Sequence, residues 1–156
     1  MAEANIITGT GSAVAAAATV ALVTAADAHL AIAQQLLAGA RVLAGDPNCA
    51  VTLAFVCAHA AECLFKAFLS WKGVCDSDLK DHHIRHDLVA LRTMAVTKGL
   101  AVDPSPPAWL ALLSELHKSP FRLRYPVGLN GFMLPATQPM LADLESLEGL
   151  TKGARP

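Results

Sequence analysis

The chain has 156 residues, of which 54% are hydrophobic and 16% charged, with a formal net charge of −1. This composition excludes an intrinsically disordered chain, and the charge excludes a strongly basic protein that attracts nucleic acid by net charge alone. Aromatic residues make up 5% of a sequence rich in Ala and Leu, which favours closely packed helices over a β-sandwich. The length is typical of one domain, so we predict a single all-α domain.

The N-terminal part gives no sign of a packed element before about residue 18. Residues 1–17 are rich in Ala, Gly, Thr and Ser without an amphipathic pattern, so we expect a disordered tail followed by one domain over 18–156. The apolar run 13–26 has no preceding Lys or Arg, and Asp27 and His29 interrupt it before it reaches membrane-spanning length. Four cysteines without a CxxC pair indicate a reducing compartment. We expect a cytoplasmic protein with no membrane contact.

Apolar periodicity predicts an up-and-down bundle of four to five helices, at about 18–43, 47–72, 87–98, 105–119 and 137–150. The second is apolar around most of its circumference, which is typical of a helix enclosed by its neighbours. Asp87 is placed to cap the third helix and Ser105 the fourth. The inward face of the fourth is expected to comprise Trp109, Leu112, Leu113 and Leu116. Prolines and glycines break residues 120–136, which we expect to pack irregularly against the bundle.

Polar side chains of the second helix form one narrow stripe. His59, Glu62, Lys66 and Ser70 follow at intervals of three, four and four, so they share one side of a helix. Lys66 could contact a phosphate, Glu62 a hydroxyl or amino group, and His59 could donate a proton. The alternative is a structural Glu62–Lys66 pair or a dimer seam, because an i, i+4 pair in this order stabilises a helix and buried charges generally occur in pairs.

Histidines and aspartates also cluster before the third helix. Imidazole and carboxylate groups suit zinc, but the set Asp81, His82, His83, His86 and Asp87 has no fourth ligand at a diagnostic spacing, and we predict no metal and no cofactor. His86 and Asp87 are better placed to present a ring and free helix amides to an anion. The alternative for this pair is a capping role.

Two arginines follow the fourth helix. Arg122 and Arg124 alternate with apolar residues, so in an extended chain both guanidinium groups share one face. They could bind phosphate while Tyr125 stacks on a base. The alternative is ion pairing with Glu115 or Asp87. If the seam is a binding site, we expect Glu62 and Lys66 to face His86 and the segment 122–125, with all these residues in one cleft.

Three segments together carry a family resemblance: AAECLFKAFLSWKG, RHDLVAL and SPFRLRYP. In this order and spacing they resemble the core of HEPN domains over about residues 30–126. The resemblance implies a bundle of four or five helices, commonly dimeric, that binds a nucleotide or RNA. Some HEPN members are metal-independent ribonucleases of toxin and defence systems, and others accompany nucleotidyltransferase domains.

Catalytic members of that family carry an Arg followed by four to six residues and a His, and no arginine of this sequence has a histidine at that spacing. We therefore predict a HEPN-like nucleotide- or RNA-binding or regulatory module, a homodimer, in a toxin–antitoxin or defence context with a nucleotidyltransferase partner. The candidate ligand-binding residues are His59, Glu62, Lys66, His86, Asp87, Arg122, Arg124 and Tyr125. One alternative is an endoribonuclease with an atypical Arg/His site, and another is a structural bundle that assembles with another chain.

Overall fold

The computed structural model describes residues 24–125, 128, 130, 131 and 133–156. The predicted tail and the predicted start of the first helix at residue 18 lie outside these residues. The described chain forms six α-helices and no strand, which confirms the all-α bundle. The helices are α1 (Ala25–Leu43), α2 (Ala50–Trp71), α3 (Asp76–Leu79), α4 (Leu88–Thr97), α5 (Ala108–His117) and α6 (Thr137–Gly153), and a 3-10 turn, Pro47–Cys49, precedes α2.

Helix α2 lies at the centre of the bundle, where it contacts α1, α4, α5 and α6. Its buried residues include Phe65, Phe68 and Leu64, with Glu62 and Lys66 among them, so the enclosed helix predicted from its apolar circumference is confirmed. The segment Pro47–Trp71 is also long and apolar enough to cross a membrane, yet 56% of that window is buried inside the protein. A buried core helix has this same composition, so the segment is weak evidence for a membrane span.

The polar face of α1 is covered by the acidic face of α6. Gln34 Nε2 donates to Glu148 Oε1 at 3.1 Å, and Arg41 Nε donates to Glu145 Oε1 at 2.8 Å. The apolar side of α6, which includes Leu144, is buried, as its amphipathic sequence predicts. These contacts close the bundle on the side of α1 and α6.

The connection between α2 and α4 contains a one-turn helix, α3, that was not predicted from the sequence. Leu79 in this turn is 1% exposed, so a segment predicted to be a polar link is anchored in the core. The Asp87 cap is confirmed: its Oδ1 accepts from the amides of Val89 at 3.1 Å and Ala90 at 3.0 Å. The polar residues before α4 are therefore held between a buried leucine and a capped helix start.

The predicted start of the fourth helix was wrong, and its predicted inward face was right for Leu113 and Leu116 but wrong for Trp109 and Leu112. Helix α5 begins at Ala108, and the Ser105 amide donates to Asp103 Oδ1 at 2.7 Å, so Ser105 belongs to the preceding turn. Trp109 and Leu112 are only partly buried, while the buried residues of α5 are Leu110, Leu113, Ser114, Leu116 and His117. The true inward face is rotated toward Leu110 and Ser114, and this rotation carries His117 into the interior.

Candidate functional site

The carboxylate of Glu62 is the centre of a buried polar cluster. Glu62 is 5% exposed. Its Oε1 accepts from Lys66 Nζ at 2.6 Å, and its Oε2 contacts His86 Nδ1 at 2.9 Å and His117 Nε2 at 2.7 Å. We call these four residues the Glu62 cluster. An ionised carboxylate only accepts hydrogen bonds, so each of these ring nitrogens carries a proton.

Glu62 stays ionised in spite of its burial. Burial by itself raises the pKa of the carboxyl group, but the hydrogen bond from His117, the charge and hydrogen bond of Lys66, and the hydrogen bond from His86 outweigh it. The pKa of Glu62 is consequently far below its ordinary value. The cluster therefore contains a fixed negative charge at neutral pH.

Three parts of the fold bring the Glu62 cluster together. Glu62 and Lys66 lie one turn apart on α2, His86 immediately precedes the cap of α4, and His117 is the last residue of α5. Besides capping α4, the Asp87 carboxylate accepts from Ser114 Oγ at 2.9 Å and from Lys118 Nζ at 3.3 Å. Asp87 thus ties the start of α4 to the end of α5 and so fixes where the neighbouring His86 lies.

Arg124 borders the cluster through two aromatic rings. Its guanidinium carbon lies 5.4 Å from the centre of the Phe55 ring and 5.6 Å from that of Phe121, distances typical of cation–π contacts. We call these three residues the Arg124 stack. The Phe121 ring lies 5.4 Å from that of His86, and the Phe55 ring lies 6.4 Å from that of His117. The stack and the Glu62 cluster are therefore adjacent.

The segment after α5 is a turn, so the predicted extended chain was wrong. The amides of Arg124 and Tyr125 both donate to the Phe121 carbonyl, at 2.9 and 2.8 Å. Phe121 itself has a φ of 58°, a left-handed conformation that is uncommon for an aromatic residue and costs free energy. Leu123 points inward, while Arg122, Arg124 and Tyr125 are exposed, Tyr125 by 63%. Both arginines thus reach solvent, although the backbone is not extended.

The predicted ion pairs of Arg122 or Arg124 with Glu115 or Asp87 are not formed among the described residues. Lys118 forms ion pairs with both carboxylates instead, with Nζ 2.6 Å from Glu115 and 3.3 Å from Asp87. A lysine one residue beyond the end of α5 reaches back to α5 and across to the cap of α4. The arginines on the following turn are left facing solvent.

His59 lies beside the cluster without a hydrogen bond to Glu62. Its ring centre is 6.3 Å from that of His117, in an edge-on arrangement, and 6.4 Å from that of Phe55. Burial lowers the pKa of His59, and the nearby Glu62 charge only partly opposes that shift. His59 is therefore an uncharged ring at neutral pH.

His117 is the member of the cluster that was not predicted from the sequence. It is 1% exposed, and its Nδ1 is buried without a hydrogen-bond partner among the described residues. His117 follows Leu113 by four residues and Leu110 by seven, so a helical face drawn through these leucines would have included it. The predicted inward face, which contained Trp109 and Leu112, did not include His117.

The structure brings together most, but not all, of the predicted site residues. Glu62, Lys66 and His86 are in contact, and His59 and Arg124 adjoin them, as expected for a seam that faces His86. Asp87 is directed toward the end of α5, and Arg122 and Tyr125 lie exposed on the surface of the 121–125 turn. Two cavities border Trp109, and none of the predicted residues lines either of them, so the expected convergence on one cleft is not seen in these cavities.

Among the residues that the structure describes, two groups of side chains have donor atoms close enough to share a metal ion. Asp81, His82 and His83 form an exposed group, and Glu62, His86 and His117 form a largely buried one. In the second group the Lys66 ammonium already lies 2.6 Å from the Glu62 carboxylate, and this positive charge opposes a dication at the same place. Hydrogen bonding to Lys66 and two protonated ring nitrogens accounts for the geometry around Glu62.

Comparisons of the chain with protein-family models, with curated proteins and with solved structures find no match. The HEPN resemblance stays a prediction from the three sequence segments. The chemistry open to the site follows from its geometry. Glu62 orients the His86 ring through Nδ1, so Nε2 is left free of Glu62 on a side chain that is 22% exposed. Arg124 contacts the same Phe121 ring that packs against His86.

Proposed function

We propose that the chain is a HEPN-like module that binds the phosphate groups of RNA or of a nucleotide at the Arg124 stack and the surface beside it. The observation that carries this proposal is that Arg124 contacts the rings of Phe55 and Phe121, which themselves adjoin His117 and His86 of the Glu62 cluster. The two rings restrict the guanidinium group and so lower the entropic cost of holding it against a phosphate. Arg122 and Tyr125, exposed on the same turn, add a second cation and a ring on which a base can stack.

In this proposal the Glu62 cluster supports the binding surface. Glu62 fixes the His86 ring, and His86 packs edge-on against Phe121. Phe121 in turn borders Arg124. A chain of packed rings therefore connects the buried carboxylate to the exposed arginine.

Binding to a fluorescein-labelled oligouridine RNA, followed by fluorescence anisotropy at several salt concentrations, tests the proposal. The double variant Arg122→Ala/Arg124→Ala should weaken binding and reduce the slope of log K against log[salt] by about 0.7 for each phosphate that the arginines neutralise. The double variant Lys72→Ala/Lys98→Ala is the matched control, because it removes the same charge from exposed positions outside the turn. Equal weakening by both pairs, or no binding by the unaltered protein, would refute phosphate binding at the turn.

The homodimer, the nucleotidyltransferase partner and the toxin–antitoxin setting belong to the same proposal, since they rest on the HEPN resemblance. Large apolar side chains are exposed on the first two helices, namely Ile32 at 42%, Val42 at 79% and Val51 at 45%. Exposed apolar residues are what a partner chain would cover, which also favours the alternative of a structural assembly protein. Light scattering across a concentration series tests the dimer, because a monomer at every concentration contradicts it.

Metal-independent RNA cleavage is the second candidate, favoured by the pairing of Glu62 with His86 and by Arg124, which contacts the same Phe121 ring as His86. A carboxylate that accepts from Nδ1 leaves Nε2 to act as a base. Nε2 would take the proton of a ribose 2′-hydroxyl, a bond would form between the 2′-oxygen and phosphorus, and the bond to the 5′-oxygen would break. The departing oxygen takes a proton from solvent, and the product is a cyclic phosphate. Arg124 would stabilise the negative charge that develops on the non-bridging oxygens of the phosphate.

Incubation of mixed RNA with the protein and EDTA tests this second candidate. The His86→Gln variant should abolish cleavage, whereas His83→Gln, which alters an exposed histidine of the preceding turn, should leave it unchanged. RNA that stays intact with the unaltered protein contradicts the nuclease and leaves the binding proposal standing. Cleavage that survives in His86→Gln would show that another group is the base.

A further inference from the structure

A cavity of about 610 Å³, open to solvent on one side, is lined by α2, α4, α5, α6 and the loop that precedes α5. It shares no lining residue with the Glu62 cluster or the Arg124 stack. Its volume is in the range of sites that enclose small organic ligands. The lining combines one buried cation with apolar and aromatic walls, and this combination defines the class of ligand.

Arg92 is the cation, and its charge has no close carboxylate partner. Its side chain on α4 is 5% exposed. The guanidinium group donates from Nη1 to the Pro104 carbonyl at 3.0 Å and from Nη2 to the Asp103 carbonyl. Both acceptors are uncharged, and within the described chain no carboxylate oxygen lies within 4.0 Å of this group. A guanidinium has five N–H groups, so these two bonds leave donors for a further acceptor.

A purely structural role, in which Arg92 holds the loop that precedes α5, does not explain why a charged residue is present at this position. Two neutral carbonyls can be bound by an uncharged amide, whereas a buried guanidinium carries a desolvation cost that is normally offset by an anion. Burial lowers the pKa of Arg92, and only the charge of Asp103 opposes this shift. The Asp103 carboxylate itself accepts from the Ser105 amide. An acidic group of a ligand would supply the missing partner.

The remaining walls restrict the rest of the ligand. Phe65, Leu147 and the Trp109 ring provide apolar surface, and Asp143 Oδ2 fixes the indole by accepting from Nε1 at 2.7 Å. Asp103 and Asp143 are exposed, so two carboxylates lie toward solvent while Arg92 lies inside. Those two negative charges repel polyanions such as nucleotides, but a single acidic group can pair with Arg92.

We infer that this cavity, the Arg92 cavity, binds a small organic monoanion whose carboxylate or sulfonate pairs with the Arg92 guanidinium and whose apolar body lies against Trp109, Phe65 and Leu147. The site is separate from the phosphate-binding surface proposed above. A nucleotide is not its ligand. Binding here and binding of RNA can therefore succeed or fail independently.

Two fluorescent probes with the same ring system test the inference. 8-Anilinonaphthalene-1-sulfonate carries the anionic group, and N-phenyl-1-naphthylamine lacks it. We expect the sulfonate probe to bind with a stoichiometry of one and to accept excitation energy from Trp109, and to bind about tenfold more tightly than the neutral probe, as for a hydrogen-bonded charge. Decanoate should displace it, whereas ATP should not.

Three variants locate the binding. Arg92→Gln should weaken the binding of the sulfonate probe about tenfold and leave the affinity for the neutral probe unchanged. Ser146→Phe fills the cavity from α6 without altering Arg92 and should abolish the binding of both probes. Ser77→Phe places the same ring on exposed α3 and should change neither. Circular dichroism checks that each variant is folded. If Arg92→Gln unfolds, the binding of the probes to Ser146→Phe decides whether they occupy the Arg92 cavity.

The inference is overturned by any of three results: equal affinity for the two probes, unchanged sulfonate binding in Ser146→Phe, or no saturable binding by the unaltered protein. Displacement by ATP as effective as that by decanoate would also contradict a monoanion site.

Discussion

Replacing Glu62 by Gln removes the negative charge of the buried cluster and turns one of its two accepting oxygens into a donor, while it nearly preserves the shape of the side chain. In the variant the Lys66 ammonium, whose side chain is 10% exposed, stays in the interior without a counter-charge. Removing one member of a buried ion pair typically costs about 3–5 kcal/mol, because the other charge is left unpaired. The free energy of unfolding of an ordinary domain is about 5–15 kcal/mol, so this substitution removes a large part of it.

Urea denaturation followed by circular dichroism measures the loss. With a slope of roughly 2 kcal/mol per molar urea, the midpoint should fall by about 2 M. Glu115→Gln is a matched control, because Glu115 also lies 2.6 Å from a lysine ammonium but its side chain is 66% exposed. Exposed pairs contribute about 0–1 kcal/mol, so the control should hardly move the midpoint. Equal losses in the two variants would refute the argument that burial makes the Glu62 charge important.

The pH dependence of stability provides an independent check on Glu62. Its pKa in the folded protein is lowered below its ordinary value, so the unfolded chain binds the proton more readily. The resulting stabilisation is fully present above the unfolded pKa and is lost as the pH falls through the lower folded pKa. In acid, the stability of the unaltered protein should therefore fall toward that of Glu62→Gln, and a constant difference between the two down to the folded pKa would contradict the linkage.

Three further predictions concern the fold around the site. Asp87→Ala should lower the free energy of unfolding by about 1–2 kcal/mol through loss of the α4 cap. Asp87→Asn, which can still cap the helix, should retain most of that stability, and urea denaturation measures both. Leu79→Ala should cost about 2–5 kcal/mol in the same assay, since this side chain is fully buried; a loss below that range would mean that α3 is not anchored. Iodoacetamide should label the exposed Cys75 in the folded protein, whereas Cys57 and Cys63, whose pKa burial raises to about 12, should react only on unfolding; rapid labelling of either would contradict their burial.

The sequence predicted those features that depend on local chemistry and long periodicity. The apolar circumference of α2 and the Asp87 cap followed from residue type and spacing, whereas the approach of His86 to Glu62 was expected only for a seam that is a binding site. The face of α5 was placed wrongly because Trp109 and Leu110 are both apolar, and only the packing partners decide which of them is buried. That choice determines whether His117 points into the core, so the third hydrogen bond to Glu62 could not be predicted.

The turn at 121–125 could not be predicted for a different reason. Alternating apolar and basic residues favour an extended chain. Here two backbone N–H groups donate hydrogen bonds to the Phe121 carbonyl and Leu123 is buried, and these interactions stabilise a turn instead. Tertiary packing outweighs a weak local preference over so short a segment. Helix α3 was missed because a single buried leucine within a polar stretch has no periodicity to reveal it.

The Glu62–Lys66 pair can serve stability or function, and a double substitution separates the two. A buried ion pair replaced by apolar side chains of similar volume often leaves stability unchanged or higher, so packing alone does not require these charges. The variant Glu62→Leu/Lys66→Met should therefore recover the part of the stability that Glu62→Gln loses through the unpaired Lys66 charge, although the buried His117 N–H still lacks its acceptor. It also removes the carboxylate that orients His86 beside Phe121. If RNA binding weakens in this stable variant, the charged seam acts by positioning the Arg124 stack; if binding is unchanged, the seam is a structural pair and the arginines act without it.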